Sequence, residues 1–200
     1  MIKHWMVACA LIALFLTGCA VKVPTVSTYV LTVPNTAVSV QAPRTARVLL
    51  VSTMVADPGY RTSRMLYVTE AAHLRGYTRN AWVAPPAQML MPLLVERIES
   101  KKYFRAVVSP PFAGNSDYRL DTRLIILQQE FMQPVSQVRC VVRAVLSNEK
   151  TGRVIADQRF QAIAPAPGNN PASGAAAANQ AAQQVSEQIA LFTVANIVRK

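Results

Sequence analysis

The sequence predicts a single α+β domain, in which a mixed sheet of about five to seven strands carries a central helix and a C-terminal helix. Residues 118–132 and 138–146 alternate apolar and polar side chains with the period of a half-buried strand. Two other stretches, one after Pro85-Pro86 and one at 175–198, space their apolar residues as helices do. Removing a predicted leader of 18 residues leaves 200 − 18 = 182 residues, enough to bury one core.

The N-terminal segment predicts export and lipidation. An apolar run of eleven residues, 6–16, ends in Leu16-Thr17-Gly18-Cys19. A helix of this length spans about 16 Å, whereas the hydrocarbon core of a membrane is about 30 Å thick, so the run is typical of a secretory signal peptide. The small residue before Cys19 and the aliphatic Leu16 match the lipobox of bacterial lipoproteins. The alternative is an ordinary signal peptide cut elsewhere, in which Cys19 has no role.

These features divide the chain into a lipoprotein signal peptide at 1–18, a lipidated tether at 19–26 and a domain at 27–199. A mature lipoprotein cysteine resembles others of its kind in bearing about three acyl chains, which anchor a protein far more firmly than one. Alanine rather than aspartate follows Cys19, as in lipoproteins that are sorted to the outer membrane. We therefore expect a lipid-anchored protein that faces the periplasm, with no cofactor other than the covalent lipid on Cys19.

The first half of the domain alternates short strands with one helix. We predict strands at 27–33 and 47–52, a turn at Asp57-Pro58-Gly59, and strands at 65–68 and 76–82. A helix follows Pro85-Pro86, because proline is tolerated in a first helical turn. Its apolar stripe consists of Leu90, Leu93, Leu94 and Ile98.

The second half predicts a strand, a hairpin and a long helix. A strand at 104–108 completes a strand, helix, strand unit with the segment around Leu50. The longest strand, 118–132, places Leu120, Thr122, Leu124 and Ile126 on one face. Residues 138–146 and 154–162 form a β-hairpin around the turn at 148–152. A linker at 164–174 precedes the helix, whose stripe of Ala178, Ala182, Val185, Ile189 and Phe192 packs on the sheet.

The charge distribution favours a membrane or a protein as partner. The chain has 21 lysines and arginines against 10 acidic residues, a formal net charge of +11, yet the basic residues are scattered singly. Nucleic acid is excluded as a partner by export. Anionic lipid head groups or an acidic protein surface remain, with a merely solvated basic surface as the alternative.

Residues that carry chemistry are sparse. Cys9 leaves with the signal peptide and Cys19 is the anchor, so Cys140 has no disulfide partner and is predicted to be a small buried hydrophobe. His73 is the single mature histidine and has no metal-ligand spacing around it. Asp117 and Asp121 would stand about 13 Å apart along a strand, too far for a retaining glycosidase pair. We therefore predict neither a metal site nor catalysis, with a hydrolase that uses a serine and His73 as the weakest alternative.

The segment 59–86 combines arginine with aromatic residues, the types that anchor interfaces. It predicts a docking surface for a partner protein or a lipid head group, composed of Tyr60, Arg61, Arg64, Tyr77, Arg79 and Trp82. The alternative is that Tyr67 and Trp82 pack against the sheet while the arginines are solvated.

The order of these motifs resembles the ABC-type transport auxiliary lipoproteins, a family that includes the PqiC-like outer-membrane lipoproteins. The stretches that carry the resemblance are Gly59-Tyr60-Arg61-Thr62-Ser63-Arg64-Met65, 77–82, Ala84-Pro85-Pro86-Ala87-Gln88-Met89-Leu90, Asp117-Tyr118-Arg119-Leu120-Asp121 and Phe160. The resemblance implies a small mixed α/β domain that is not an enzyme. It also implies partners: a mammalian-cell-entry type substrate-binding subunit and the ABC transporter components of a system that moves lipids between membranes and supports envelope integrity.

Two further possibilities stay open at this point. The domain is either a docking subunit or a carrier that itself binds phospholipid, which would require an apolar cavity of several hundred Å³. A homo-oligomer is compatible with this kind of lipoprotein, but no heptad or self-complementary pattern in the sequence demonstrates one.

Overall fold

The protein, seen here in a computed structural model that describes residues 25–32 and 44–198, is built on one mixed sheet with two helices. The predicted signal peptide, Cys19 and most of the predicted tether lie outside the described residues. The elements are β1 (Ser27–Tyr29), β2 (Val48–Val51), β3 (Val55–Ala56), β4 (Arg64–Val68), β5 (Leu74–Trp82), α1 (Pro86–Glu99), β6 (Ala106–Val108), β7 (Tyr118–Glu130), β8 (Gln137–Asn148), β9 (Val154–Pro165) and α2 (Pro171–Val198).

The α+β fold class is confirmed, and the described residues form one sheet of nine strands, larger than the predicted sheet of five to seven. All eight predicted strand segments belong to this one sheet, and β3 is the ninth strand, whose two residues are too few to show any alternation. A single 3-10 turn, Pro58–Tyr60, occupies the predicted turn between β3 and β4.

The strand β7 is the central strand of the sheet and pairs with four of the other described strands. On one side it pairs with β8 in antiparallel fashion, and β8 pairs in the same way with β9, which confirms the predicted hairpin. On its other side β2, β3 and β4 follow one another along β7, each parallel to it. β6 lies beyond β2, while β5 and then β1 lie beyond β4. The parallel pair of β2 and β6 confirms the predicted strand, helix, strand unit.

The helix α1 begins where its prolines predict. Pro86 occupies its first turn, and the predicted apolar stripe from Leu90 to Ile98 is buried. A further proline, Pro92, lies inside the helix, beyond the first turn. It is exposed, so water can reach the carbonyl of Gln88 that the missing N–H would have bonded.

The alternation of β7 shifts at a β-bulge between Leu124 and Ile126. Leu120 and Leu124 point to the buried face as predicted, but the extra residue moves Ile126 to the opposite face, where it pairs with Val141. Leu127 takes over the buried face beyond the bulge. The prediction for Ile126 is therefore wrong, because a bulge places two residues of one strand opposite one residue of its partner.

The predicted linker at 164–174 is much shorter in the structure. Ala164 is fully buried and pairs with Val138, so β9 continues to Pro165. The helix α2 already begins at Pro171. A proline in the first turn of a helix is tolerated, because the N–H that it lacks would have no partner within the helix. Gly174 lies within this helix. The proline and glycine that indicated a linker therefore belong to the start of the helix.

Both helices pack side by side against one face of the sheet, here called the inner face. Four residues of the predicted α2 stripe are buried, and Phe192 is half-buried against Phe160 at 5.2 Å between ring centroids. Glu187 of α2 accepts a hydrogen bond from Lys101 and forms an ion pair with Arg97 of α1 at 3.5 Å, which joins the two helices. Neither helix of the described residues lies on the opposite face, here called the outer face. Neither helix in the described part of the chain combines the length and hydrophobicity that a membrane crossing requires.

Candidate docking face

Three of the six predicted docking residues belong to the outer face and its margin. The Tyr60 hydroxyl donates to Gln128 Oε1 at 2.5 Å, and Arg61 Nε donates to the Ala56 carbonyl at 2.8 Å. Arg64 Nη2 donates to the carbonyl of Gly76 at 3.1 Å. A Cβ on residue 76 would lie 2.7 Å from Arg64 Nε, so the glycine leaves room for the guanidinium.

Tyr77 lies on the other face of the sheet. Its hydroxyl donates to Gln129 Oε1 at 3.1 Å, and Gln129 points away from its neighbour Gln128 because side chains alternate along a strand. The Tyr77 ring stands 4.5 Å from that of Tyr67, which meets Phe131 edge-on. Burial, with a smaller contribution from Tyr67, raises the pKa of Tyr77 to about 12. Tyr77 is thus a packing residue of an aromatic cluster.

The remaining two residues diverge as well. Arg79 is exposed on β5, whereas Trp82 is 5% exposed and belongs to the hydrophobic core, near Met65. Trp82 therefore supports the sheet from within, as the packing alternative holds, and it does not present its ring to a partner. The structure does not bring the six residues onto one surface.

An arginine row that the sequence analysis missed crosses the outer face. Arg123 of β7 pairs directly with Arg143 of β8, which pairs directly with Arg159 of β9. Asp57 accepts a hydrogen bond from Arg123 at 3.3 Å, and Asp157 accepts one from Arg143 Nε at 2.8 Å. No hydrogen bond or ion pair within 25–32 and 44–198 engages the Arg159 guanidinium.

The arginine row extends into a wider basic surface. We call it the arginine face, and it comprises Arg61, Arg64, Arg119, Arg123, Arg139, Arg143 and Arg159. The carboxylates that pair with it are Asp57, Asp121, Glu130, Glu149 and Asp157, so the formal balance is 7 − 5 = +2. The sequence did contain a signal for this surface, because arginines recur four residues apart on the polar side of β7 and again on that of β8. These arginines are far apart in the sequence, and only the register between the strands brings them onto one surface.

Glu130 is the one buried carboxylate of this face, with a residue exposure of 3%. It accepts from Arg139 Nε at 2.7 Å and Nη2 at 3.0 Å, and Gln137 and Gln128 donate to it at 3.1 Å. Burial raises the pKa of the Glu130 carboxyl, but these donors outweigh burial and the pKa lies below its ordinary value. The carboxylate is therefore charged at neutral pH and fixes Arg139 in place.

An open cleft of about 830 Å³ lies at the end of the sheet where β7 begins. Its walls include Val48 and Phe112, but also four charged side chains: Arg105, Asp117, Glu149 and Lys150. Asp117 accepts from the Val48 N–H and from Lys150 Nζ, both at 2.9 Å, and these contacts lower its pKa. Such a charged lining differs from the apolar cavity that the carrier alternative requires.

The residues examined for chemistry are scattered. His73 is exposed at the β4–β5 turn, and its Nδ1 lies 2.7 Å from Glu70 Oε1. Cys140 is completely buried, as predicted, and burial raises the pKa of its thiol to about 12. Asp121 pairs with Arg119 at 3.0 Å and does not meet Asp117. Across the described ranges, no three histidine, cysteine or acidic residues gather as metal ligands.

Comparison with known proteins gives a family match and a shared fold. A family model described as "ABC-type transport auxiliary lipoprotein component" matches residues 29–190. A crystal structure from Xanthomonas campestris, of the family DUF330, superimposes with a TM-score of 0.77 at 23% identity over 86% of this chain and 97% of that chain. The crystal structure of an uncharacterized protein gives 0.68 at 18% identity over 84% and 98%. No curated protein matches the chain in sequence.

Proposed function

Because the chain belongs to the family of ABC-type transport auxiliary lipoprotein components, as its motif order predicts, we propose that it is a non-catalytic docking subunit of a lipid transport system. Its partners would be a mammalian-cell-entry type substrate-binding subunit and the ABC transporter components. The proposal places the protein at the outer membrane, facing the periplasm, where the system moves lipids between the two membranes and supports envelope integrity.

The lipid anchor at Cys19 has a physical role in this proposal. Acyl chains confine the domain to a layer next to the bilayer, which raises its effective concentration for a partner held in the same envelope. Binding then requires only a modest intrinsic affinity. A domain of this kind needs an exposed recognition surface rather than a reaction centre.

The arginine face is the observation that carries the docking role. Arginine presents a planar fork of donors that matches carboxylates, and it is enriched where interfaces are anchored. Arg143 is 54% exposed and Arg123 is 53% exposed, so both can exchange their intramolecular partners for a partner's carboxylates. Arg159 needs no exchange at all. We therefore expect an acidic surface on the docking partner.

The test compares two arginine variants in cells. The double variant Arg143→Glu/Arg159→Glu reverses two charges of the arginine face, and Arg153→Glu makes the same kind of change in the exposed β8–β9 turn. The double variant should reduce recovery of the mammalian-cell-entry subunit and the ABC components from envelope extracts by at least about tenfold, a difference of about 1.4 kcal/mol. Raising the salt concentration should weaken wild-type recovery too.

Two results would count against this proposal. Failure of the wild-type protein to recover any transporter component would remove the transport role. Equal recovery by the double variant and Arg153→Glu would remove the arginine face from the interface. Circular dichroism of each variant is the check that the fold is kept, and we expect it unchanged because exposed ion pairs contribute little to stability.

A further inference from the structure

Three apolar side chains are exposed together at one end of the sheet. Leu74 is 38% exposed, Met132 is 48% exposed and Val135 is 59% exposed. Val68 of β4 pairs with Leu74 on one side and with Glu130 on the other, and its carbonyl accepts the Phe131 N–H at 2.9 Å. The β4–β5 turn therefore lies beside the β7–β8 turn. We call Leu74, Met132 and Val135 the apolar tip.

The N-terminal segment enters the sheet from the side of the apolar tip. β1 is parallel to β5, with Ser27 opposite Asn80 and Tyr29 opposite Trp82. Because β5 begins at Leu74 and runs away from the tip, Thr25 and Val26, which precede Ser27, lie on the side toward the tip. The first described residues of the chain therefore lead toward the end of the sheet that carries the apolar tip.

Chain length limits where Cys19 can lie. It precedes Thr25 by 25 − 19 = 6 residues, which span at most about 22 Å when fully extended. If the register of β1 continues, Thr25 is level with Thr78, about 13 Å from Leu74 along the strand. β7 is 13 residues long, about 40 Å, so Tyr118 at its far end lies about 30 Å from Thr25 once the sideways spacing of the strands is added. Six residues reach the tip and fall short of the far end.

We propose that the apolar tip rests in the membrane interface beside the lipid anchor and forms a second, non-covalent contact with the bilayer. This inference rests on the proposed lipidation of Cys19. Side chains at an interface bury apolar area among acyl chains while the polar backbone of the turns stays hydrated. Arg75 and His73 flank the tip, but both pair with Glu70, whose negative charge offsets theirs. Apolar contact rather than net charge therefore provides the binding.

The contact fixes how the domain stands on the membrane. With the tip down, the strands run away from the bilayer, and the cleft beside Lys150 faces the periplasm. The arginine face then stands roughly upright, where a partner reaches it from the side. A lipid anchor alone would leave the domain free to tumble on its tether.

The test uses variants of the full, acylated protein that each carry one introduced cysteine, in vesicles of phosphatidylethanolamine and phosphatidylglycerol. Met132→Cys and Val135→Cys probe the tip, and Val154→Cys is the control, since Val154 is 56% exposed at the opposite end of the sheet. An environment-sensitive fluorophore is attached to each. Cys140 stays unlabelled because it is fully buried. We expect probes at 132 and 135 to shift their emission to the blue and to be quenched by lipid-borne quenchers, while the probe at 154 does neither.

Two outcomes would overturn the inference. One is equal emission and quenching at 132 and 154. The other is a tip probe that remains in water on vesicles and becomes shielded only when envelope protein is added, which would make the tip a protein contact. Mass spectrometry of the same sample reports acylation of Cys19 separately. Since the vesicles contain no transporter component, the result does not depend on the docking proposal.

Discussion

The charged residues of the outer face differ in their exposure to water, as a comparison of Glu130 with Asp157 shows. Both carboxylates face an arginine, Arg139 and Arg143 respectively. The Glu130 side chain is 4% exposed and that of Asp157 is 38% exposed. A carboxylate held out of water depends on its donors, and the donors depend on it, because neither has solvent as a substitute.

We predict that Glu130→Gln lowers the free energy of unfolding by about 2–3 kcal/mol, since it leaves Arg139 without its charged acceptor. Asp157→Asn is the matched control and should leave stability close to that of the wild type. Because the pKa of Glu130 lies below its ordinary value of 4.5 when folded, its stabilisation is present above that pH and is lost as the pH falls through the folded pKa. Urea unfolding at pH 7 and pH 3 should therefore show the gap between wild type and Glu130→Gln closing in acid. A gap that is the same at both pH values would contradict this account.

At the scale of whole elements, α2 approaches β7 closely at Gly174. A Cβ on residue 174 would lie 2.2 Å from Gln129 Oε1. Gln129 is 3% exposed, and its amide also donates to Ser136 Oγ at 2.8 Å, so it has little room to move. We predict that Gly174→Ala lowers the free energy of unfolding by about 1–3 kcal/mol, although helix propensity alone would favour alanine by about 1 kcal/mol. Gly59→Ala is the control, because its Cβ would meet Leu74 at an ordinary 3.7 Å. Thermal unfolding compares the two, and a stabilised Gly174→Ala protein would show that the crossing is looser than this.

Elements with a long, regular pattern were predictable from the sequence. Val138, Cys140, Val142, Ala144 and Leu146 are all buried on one face of β8, as their spacing predicts. The bulge in β7 was not predictable, because the pattern alone does not show where an extra residue is inserted. The start of α2 was misread for a different reason: Gly174 is required by a neighbour in β7, and no local signal distinguishes such a glycine from one in a linker.

The arrangement of the whole molecule depends on contacts between distant parts of the chain, which sequence patterns do not contain. The arginine row arises from residues 123, 143 and 159 only because two antiparallel registers align them. The same applies to the six predicted docking residues: local composition grouped them, and the pleat of the sheet separated Tyr60 from Tyr77. The position of residues 27–32 is a third feature that depends on distant contacts, because the C-terminal helix α2 forms hydrogen bonds with them.

Asn179 of α2 ties that segment to the body of the protein. Its Oδ1 accepts the Thr32 N–H at 2.6 Å, and its Nδ2 donates to the Val30 carbonyl at 3.1 Å, across about 150 residues of chain. The Thr32 hydroxyl also donates to Asn179 Oδ1, at 3.1 Å. Losing these three bonds should cost about 1–3 kcal/mol locally, so Asn179→Ala should speed hydrogen exchange of the Thr32 amide by about 10–100-fold.

Asn196→Ala is the matched control for this prediction. Asn196 donates to the Phe192 carbonyl at 2.9 Å, four residues back in the helix, just as Asn179 donates to the Ala175 carbonyl at 3.0 Å. Both variants therefore lose the same intrahelical bond, and Asn179→Ala alone loses the link to the N-terminal segment. Hydrogen exchange read by mass spectrometry over residues 27–32 separates the two. Equal exchange in both variants would mean that pairing with β5 alone holds residues 27–32 in place, without help from α2. In that case any force transmitted through a lipid anchor at the N-terminus would act on β1 at the edge of the sheet and not on the helix.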